Sequence, residues 1–232
     1  MKFDKPILKA TFLKRYKRFF VDAQLPDGIT VTAHCPNTGS MKGLLVEGAD
    51  MYLTHHNDPK RKLQYTTEVI FTPTSPVGIN TSRPNKLVAE AITNGTIAEL
   101  QGYETIKPEV KYGTNSRIDL LLTAPNKPDC YVEVKNTTMA EGHTAMFPDA
   151  VTERGRKHLN ELAEMVKQGH RAVMVFLTQR MDCTTFTPAD NIDPAYGETL
   201  RHVLNAGVEA ICYDCTINEK EITTRNKLEI KL

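Results

Sequence analysis

The sequence predicts an α/β fold, α+β overall, in which a small β-barrel precedes a mixed sheet with helices on its faces. Two observations predict it. Residues 7–80 contain short alternating segments between turn formers, whereas helical and strand patterns alternate from about residue 83. With 232 residues, 40% of them hydrophobic, the chain is long enough for one large domain or two modest ones. We predict two, comprising residues 1–82 and 83–232.

The first domain is predicted from five short segments of strand character: ILKATFLKRY, RFFVDAQL, ITVTAHCP, ADMYLTHH and TEVIFTP. Turn formers such as Pro26-Asp27-Gly28 and Asn57-Asp58-Pro59 separate them. Several short strands at close spacing are typical of a small antiparallel barrel, and an OB-like barrel is the preferred interpretation. A β-sandwich is the alternative.

The second domain begins with a predicted helix, RPNKLVAEAITNG, which has Pro84 near its start and Asn94-Gly95 at its end. A strand near residues 103–112 and a hairpin follow. Three segments with helix or buried-strand patterns come next: TERGRKHLNELAEMVKQG, RAVMVFLT and PAYGETLRHVLNAG. The strand VEAICYDCTI completes the order. Strand–helix–strand units of this kind predict a mixed sheet covered by helices.

The hairpin, RIDLLLTAPNKPDCYVEVKN, carries the candidate catalytic residues. Side chains alternate along a strand, so Glu133 and Lys135 share one side. Asp119 on the adjacent strand can bring its carboxylate to the same point, and Mg²⁺ prefers such oxygen-rich sites. Lys135 can orient a water nucleophile or stabilise charge on a phosphate, and Glu90 on the preceding helix is a third candidate carboxylate. The alternative is an exposed Glu133–Lys135 pair that contributes little energy.

The order of helix Glu, strand Asp and strand Glu-x-Lys resembles the PD-(D/E)xK nuclease core. Over nearly the whole chain, the sequence resembles the sugar fermentation stimulation protein A family more closely. The motifs that carry this resemblance are AHCPNTGSM at 33–41, NSRID at 115–119, EVKN at 133–136 and FPDAVTERGRKHL at 147–159. The resemblance implies an N-terminal OB-like domain joined to a restriction-endonuclease-like domain, DNA binding, and a link to the regulation of sugar utilisation. Carried over by residue, the nuclease pattern implies catalytic roles for Glu90, Asp119, Glu133 and Lys135. Mg²⁺ or Mn²⁺ is expected on the three carboxylates Asp119, Glu133 and Glu90.

A basic and aromatic stretch, KATFLKRYKRFF, is the first candidate for contact with nucleic acid. Basic side chains neutralise phosphates and aromatic rings stack on unpaired bases, as in single-strand-binding OB grooves. The candidate residues are Lys14, Arg15, Tyr16, Lys17 and Arg18. For Phe12 and Phe20 we prefer burial in the barrel core.

The segment AHCPNTGSMKG is the second candidate, because it is dense in turn formers with exposed backbone donors. The family resemblance favours a binding role over the alternative, an Asx or Ser/Thr turn that closes the barrel. The candidate residues are His34, Asn37, Thr38, Ser40 and Lys42.

Four further candidates for phosphate contact lie in the second domain. Arg154 and His158 are four residues apart on a predicted helix and so share a face. Lys111 and Arg117 lie on the strands that lead to Asp119. Surface solvation is the alternative for Arg154 and His158.

Composition limits the classes of function. The 29 basic and 28 acidic residues nearly cancel, so a polyanion has to be bound by a local patch. The five cysteines form no CxxC pair, which disfavours a disulfide framework or a zinc ribbon. No apolar run approaches the ~20 residues of a membrane span, and MKFDKPILKA lacks a signal-peptide apolar region. We therefore expect a cytoplasmic protein without membrane association.

Three functions follow from these features. The first is a metal-dependent nuclease that binds DNA through its OB-like domain. The second is a non-catalytic, weakly sequence-selective DNA-binding regulator on a nuclease-like scaffold. The third and weakest is a binder of a small metabolite, for which no sugar-binding constellation is visible. DNA is the expected partner, and the sequence is compatible with a homodimer.

Overall fold

The first part of the chain folds as a closed β-barrel in the computed structural model, which describes residues 1–113 and 116–232. Its strands are β1 (Ile7–Tyr16), β2 (Phe20–Gln24), β3 (Thr30–His34), β4 (Asp50–His55), β5 (Tyr65–Phe71) and β6 (Pro76–Gly78). They are arranged in the order β3-β2-β1-β4-β5-β6, and parallel pairing of β3 with β5 closes the barrel. Phe12 and Leu53 lie in its core, whereas Phe20 is half-buried and stacks on Tyr16. The OB-like barrel predicted from the strand spacing is confirmed.

The second part is a mixed sheet with three α-helices among its described residues. The chain continues through α1 (Pro84–Thr93), a 3₁₀ helix (Ala98–Leu100), β7 (Thr105–Tyr112), β8 (Ser116–Ala124), β9 (Lys127–Thr137), β10 (Met139–Glu141), β11 (Thr144–Phe147), α2 (Glu153–Lys167), β12 (Arg171–Thr178), β13 (Thr185–Pro188), α3 (Pro194–Asn205), β14 (Glu209–Ile217) and β15 (Ile222–Ile230). The sheet order is β10-β11-β13-β15-β14-β12-β9-β8-β7. Strands β9, β12 and β14 are parallel, whereas β7–β8, β8–β9 and β14–β15 are antiparallel. Five strands were not predicted: β6 of the barrel, and β10, β11, β13 and β15 of this sheet.

The helices cover both faces of this sheet, which explains why β12 is buried along nearly its whole length. Helix α1 packs on one face, where Leu87 joins a core with Val132. Helices α2 and α3 pack on the other face, where Leu159 and Leu200 join a core with Phe176. None of the helices in the described parts of the chain has the length and hydropathy needed to cross a membrane.

The helix starts follow from their sequences. Helix α1 has proline at its first position, where no intrahelical N–H bond is lost. The Thr152 hydroxyl accepts a hydrogen bond from the Gly155 N–H (3.0 Å) and caps α2. The Asp193 carboxylate accepts one from the Tyr196 N–H (3.0 Å) and caps α3. Capping at Thr152 fixes the first turn of α2, which faces the candidate site.

The two parts of the fold are joined by direct contacts. The buried Glu68 of β5 pairs with Arg83, which immediately precedes α1. The Ser40 hydroxyl, after β3, donates to the Asp149 carboxylate (3.0 Å), after β11. Lys2 forms a β-bridge with Glu221, so the first residues lie on the second part of the fold. The division at residues 82 and 83 stays a prediction.

Candidate active site

The candidate site lies where β8 and β9 separate. The two strands are paired as far as Leu120 and Val132, beyond which the ladder stops. The Val134 N–H then donates to Asp119 Oδ2 (2.7 Å), so a carboxylate takes the place of a strand carbonyl. Asp119 Oδ1 accepts a second hydrogen bond from Asn85 Nδ2 of α1 (2.8 Å). The sheet and a helix therefore hold this carboxylate in one orientation.

Glu133 lies on β9 beside Asp119 and is only 2% exposed. Its Oε1 atom accepts a hydrogen bond from Lys135 Nζ (2.7 Å) and is also bound by His158 Nδ1. Its Oε2 atom is buried and has no hydrogen-bond partner among the described residues. A buried carboxylate oxygen without a partner is costly, and a cation is the group that would satisfy it.

The two carboxylates have opposite pKa shifts. Burial, and next the charge of Glu133, raises the pKa of Asp119 from its ordinary 3.8 to about 6. Burial alone would raise the pKa of Glu133, but the hydrogen bond from His158 and the charge of Lys135 hold it below its ordinary value. Near neutral pH both groups are ionised, and their repulsion is only partly offset by Lys135.

A cavity of about 620 Å³ opens above these groups. Asp119 and the buried Glu133 form its floor, whereas exposed side chains of β7, β8 and α2 form a mainly basic rim. The rim residues are the basic Arg117, Arg154 and Lys157 and one acid, Glu109. An acidic floor beneath a basic rim suits a divalent cation bound together with a phosphodiester.

The donors present fit a hard divalent cation. In the described ranges, no group of three or more His, Cys, Asp and Glu side chains is arranged to hold a metal ion. The site instead offers Asp119 and the unpartnered oxygen of Glu133. Mg²⁺ is commonly bound by one or two carboxylates, with water and substrate phosphate as its other ligands.

Glu90 is not part of this site, which corrects the prediction of a third carboxylate there. Its Oε1 atom accepts a hydrogen bond from the Met1 amine (2.6 Å), and its side chain is 46% exposed. The α1 residue that reaches Asp119 is Asn85. Asn85 and Glu90 are five positions apart in α1, so their side chains leave the helix axis in directions about 140° apart.

His158 lines the cavity but is turned toward Glu133, which corrects its prediction as a phosphate contact. It is 7% exposed, and Arg154 Nε lies 3.4 Å from its Nε2 atom. An arginine N–H can only donate, so Nε2 accepts and the ring proton is on Nδ1, which faces Glu133. His158 therefore orients the Glu133 carboxylate.

Arg15 of the basic stretch also has a structural role, and its contact with nucleic acid stays a prediction. Its guanidinium donates to the carbonyl oxygens of Asn37 (2.8 Å), Gly39 (3.0 Å) and Arg18 (3.1 Å). It connects the turn after β1 to the loop after β3. These bonds use Nε and one terminal nitrogen, whereas the other terminal nitrogen, 3.5 Å from the Ser40 carbonyl oxygen, keeps at least one N–H available.

The rest of the basic stretch is exposed at the β1–β2 turn. Lys14 lies 3.5 Å from the Asp22 carboxylate, and the Tyr16 hydroxyl donates to the same residue. Lys17 and Arg18 form the turn with positive φ values of 48° and 62°. These exposed groups stay candidates for nucleic-acid contact.

The loop after β3 is the Asx turn that the sequence left as the alternative. The Asn37 side chain is buried and accepts from the Gly39 N–H (2.8 Å), and Ser40 is bound to Asp149. Both therefore have structural roles in this loop, and their contact with phosphate stays a prediction. Thr38 and Lys42 are exposed on this loop.

The remaining candidates divide between three cavities. Arg117 lines the active-site cavity and pairs across the strands with Lys111, which lines an adjacent cavity. His34 faces a third cavity on the barrel. Asn115 of the NSRID motif lies outside the described residues.

Asn85 and Lys157 are among the cavity residues that the sequence reasoning missed. Asn85 bonds to Asp119, and Lys157 lies on the rim. Lys157 belongs to the FPDAVTERGRKHL motif and lies one residue from His158, so the motif carried its signal. Asn85 has no comparable signal, because asparagine near a helix start is ordinary.

Fold and site together define a class of protein: an OB-type barrel joined to a restriction-endonuclease-like domain with two carboxylates and a lysine beneath a basic rim. Comparison with known proteins agrees. Residues 13–79 match the family described as the SfsA N-terminal OB domain, and residues 82–221 match the sugar fermentation stimulation protein RE domain. The chain belongs to the sugar fermentation stimulation protein family, which confirms the resemblance.

Relatives match along almost the whole chain. A sugar fermentation stimulation protein homolog of Geobacter sulfurreducens is 53% identical over 226 residues, 97% of each chain. One of Paramagnetospirillum magneticum is 51% identical over 217 residues, 94% of this chain and 92% of that one. A solved structure described as Pyrococcus furiosus SfsA in complex with Ca²⁺ has a TM-score of 0.90 and 28% identity. The match covers 100% of this chain and 98% of that one.

Proposed function

We propose that this protein is a DNA-binding, divalent-metal-dependent phosphodiesterase whose active site contains Asp119, Glu133 and Lys135. The observation that carries the proposal is the buried Glu133 Oε2 atom without a partner, next to an aspartate whose pKa burial and Glu133 raise. Both features are expected of a site built for a cation. The Pyrococcus furiosus relative, described in complex with Ca²⁺, supports a hard cation here, for which we propose Mg²⁺ or Mn²⁺.

The residues of the chain have separate tasks in this proposal. When bound, the metal polarises the phosphate and lowers the pKa of water. Lys135, held at Glu133 Oε1, is placed to orient the attacking water or to offset charge that develops on the phosphate. The basic rim, with Arg117 and Arg154, binds phosphates of the strand. His158 keeps Glu133 in position.

The test is cleavage of labelled single-stranded and duplex DNA with Mg²⁺, Mn²⁺ or EDTA. We expect metal-dependent cleavage that falls by about 100-fold or more in Asp119→Ala and Lys135→Ala, because each removes a group that acts on the transition state. DNA affinity in EDTA should stay within about twofold of the wild type, since phosphate contacts remain. Glu90→Gln is the matched control, because it neutralises a carboxylate outside the site, and it should cleave normally. Undiminished cleavage by both alanine variants would reject the site.

A regulator that binds DNA without cleaving it is the second candidate. Exposed Tyr16, Lys17, Arg18 and Phe19 at the β1–β2 turn favour it, because they present charge and aromatic faces without a metal. Its signature is salt-sensitive binding in EDTA with no cleavage under any metal. Charge reversal at Lys17 and Arg18 should then weaken binding strongly. Under both candidates we propose a link to sugar utilisation. We also propose a cytoplasmic location, because the DNA of the bacterial relatives lies there.

A further inference from the structure

A second cavity, of about 360 Å³, lies on the other side of the segment that leads into α1. In this segment and the first turn of α1, Thr81 and Asn85 line the active-site cavity, whereas Ser82, Arg83 and Lys86 line the second one. Its remaining walls come from the chain before β1, from β3 to β5 and from the loop between β4 and β5. The residues used below are Lys5, His34, His56, Arg61, Thr66 and Lys86.

The two carboxylates in this cavity, Asp4 and Glu68, are both bound by one arginine, Arg83. Glu68 is buried and accepts two hydrogen bonds from Arg83, at 2.9 and 3.1 Å. It also accepts from the Thr54 hydroxyl (3.0 Å) and the Asn80 amide (2.9 Å), so both of its oxygens are occupied. The third arginine nitrogen donates to Asp4 (3.2 Å). Arg83 therefore balances one of these two acids, and the lining as a whole, with Lys5, Arg61 and Lys86, keeps a net positive charge.

The other cations of the cavity lack a counter-ion. Lys5 Nζ lies 2.8 Å from the His56 carbonyl oxygen and 3.3 Å from its Nδ1 atom. Arg61 donates to the Leu63 carbonyl (3.3 Å) and the Thr66 hydroxyl (3.2 Å), and its third contact is His56 Nδ1 (3.2 Å). In residues 1–113 and 116–232, neither cation has a carboxylate within the 4.0 Å of a salt bridge. Both are half-buried, so solvent compensates them only in part.

The lowered pKa values of two histidines in the cavity are consistent with this excess of positive charge. His56 Nδ1 faces two groups that only donate, so it accepts, and Nε2 donates to the Thr66 hydroxyl (2.8 Å). Burial, followed by the charges of Arg61 and Lys5, lowers the pKa of His56. Burial and then Arg61 lower the pKa of His34. The cavity therefore contains cations without a counter-ion beside neutral histidines, and a bound anion would supply the missing negative charge.

We propose that this cavity binds a phosphate group through Lys5, Arg61 and Lys86. A phosphate offers several acceptor oxygens to these convergent donors, and charge-assisted hydrogen bonds to phosphate are the strong ones. The group belongs either to a nucleic-acid backbone that continues from the neighbouring active-site cavity or to a free phosphorylated small molecule. The inference does not rest on the proposed cleavage, because the site contains none of the residues assigned to it.

The first experiment titrates inorganic phosphate into the full-length protein in EDTA, at ionic strength held constant with chloride. The imidazole NMR signals of His56, assigned with His56→Gln, are the readout. We expect a saturable shift in the wild type and an association constant reduced about tenfold or more in Lys5→Gln/Arg61→Gln, because two charge-assisted hydrogen bonds are lost. Lys60→Gln/Lys62→Gln is the matched control, since it removes two exposed charges that flank Arg61 without lining the cavity.

The proposal is overturned if phosphate gives no saturable shift, or if both double variants respond like the wild type. Lys86→Gln guards against misfolding of the first double variant, because Lys86 is exposed and its loss should weaken phosphate binding without disturbing the fold. A normal thermal unfolding curve for each variant completes the control.

A second experiment identifies the source of the phosphate. Binding of a short single-stranded oligodeoxynucleotide is measured in EDTA by fluorescence anisotropy. If Lys5→Gln/Arg61→Gln weakens it and inorganic phosphate competes, the site holds a backbone phosphate. If DNA binding is equal in all variants while the phosphate shift is lost, the site serves a free phosphorylated molecule. Neither result depends on cleavage, so failure of the nuclease proposal leaves the test intact.

Discussion

Replacing Asp119 with asparagine is expected to stabilise the metal-free protein near neutral pH, although it alters the centre of the site. Burial, and next Glu133, raises the pKa of this carboxyl from 3.8 to about 6 in the folded protein. As the pH rises, the unfolded chain therefore loses its proton first, and unfolding becomes easier between about pH 4 and pH 6. Below that range both states hold the proton and the penalty is absent.

The size of the effect follows from the shift. A difference of about 2 pH units corresponds to an upper value of about 3 kcal/mol in the free energy of unfolding at neutral pH. Asp119→Asn keeps an oxygen that accepts from the Val134 N–H. Its new amide nitrogen faces Asn85, whose own amide can rotate to present its oxygen. We expect a net gain of about 1–3 kcal/mol.

Urea unfolding in EDTA from about pH 4 to pH 7 measures this difference. The wild type should lose stability relative to Asp119→Asn as the pH rises, and added Mg²⁺ should stabilise only the wild type. Asp182→Asn is the opposite control, because hydrogen bonds from Arg180 and Thr74 outweigh burial and lower the pKa of Asp182 to about 2. That variant should lose stability at neutral pH. A loss of stability in Asp119→Asn at neutral pH would refute the assignment of the raised pKa.

Three further changes test other contacts. His158→Gln should weaken Mg²⁺ binding about 10-fold by calorimetry, because Glu133 loses its orienting donor, while DNA affinity in EDTA is unchanged; equal Mg²⁺ affinity would exclude this role. Glu90→Gln should cleave at the wild-type rate and lose at most about 1 kcal/mol in urea unfolding, because its ion pair with the N-terminal amine is half-exposed; reduced cleavage would return Glu90 to the site. Glu68→Gln should cost about 3 kcal/mol in the same unfolding assay, because the Arg83 charge loses its buried carboxylate partner and keeps only the exposed Asp4; an unchanged midpoint would show that the Glu68–Arg83 pair is not structural.

Alternation along a strand predicted that Glu133 and Lys135 share one side of β9, and the hairpin placed Asp119 beside them. The family resemblance was needed to prefer a site over an exposed ion pair. The barrel and the helices could also be predicted from the sequence, because Pro84, Thr152 and the regular apolar patterns mark them.

Long-range contacts explain most of what the sequence-based prediction missed. Nothing local distinguishes Glu90 from Asn85 as the α1 residue that faces Asp119; the docking angle of the helix decides. The structural role of Arg15 was missed because two of the carbonyls it binds, those of Asn37 and Gly39, lie more than 20 residues away. Strands β10, β11 and β13 have three or four residues, too few to show a period, and β15 is too polar to resemble a core strand.

Because β8 and β9 separate at one end and are joined by a turn at the other, this scaffold can be altered at the turn. The carboxylates are fixed by the open end of a strand pair, whereas the turn at Pro125 and Asn126 lies at the closed end. Loops tolerate insertions far better than the strands they connect. A reporter peptide or an affinity handle inserted at this turn should therefore leave the spacing of Asp119 and Glu133 unchanged, which makes it a practical site for building biosensors from this fold.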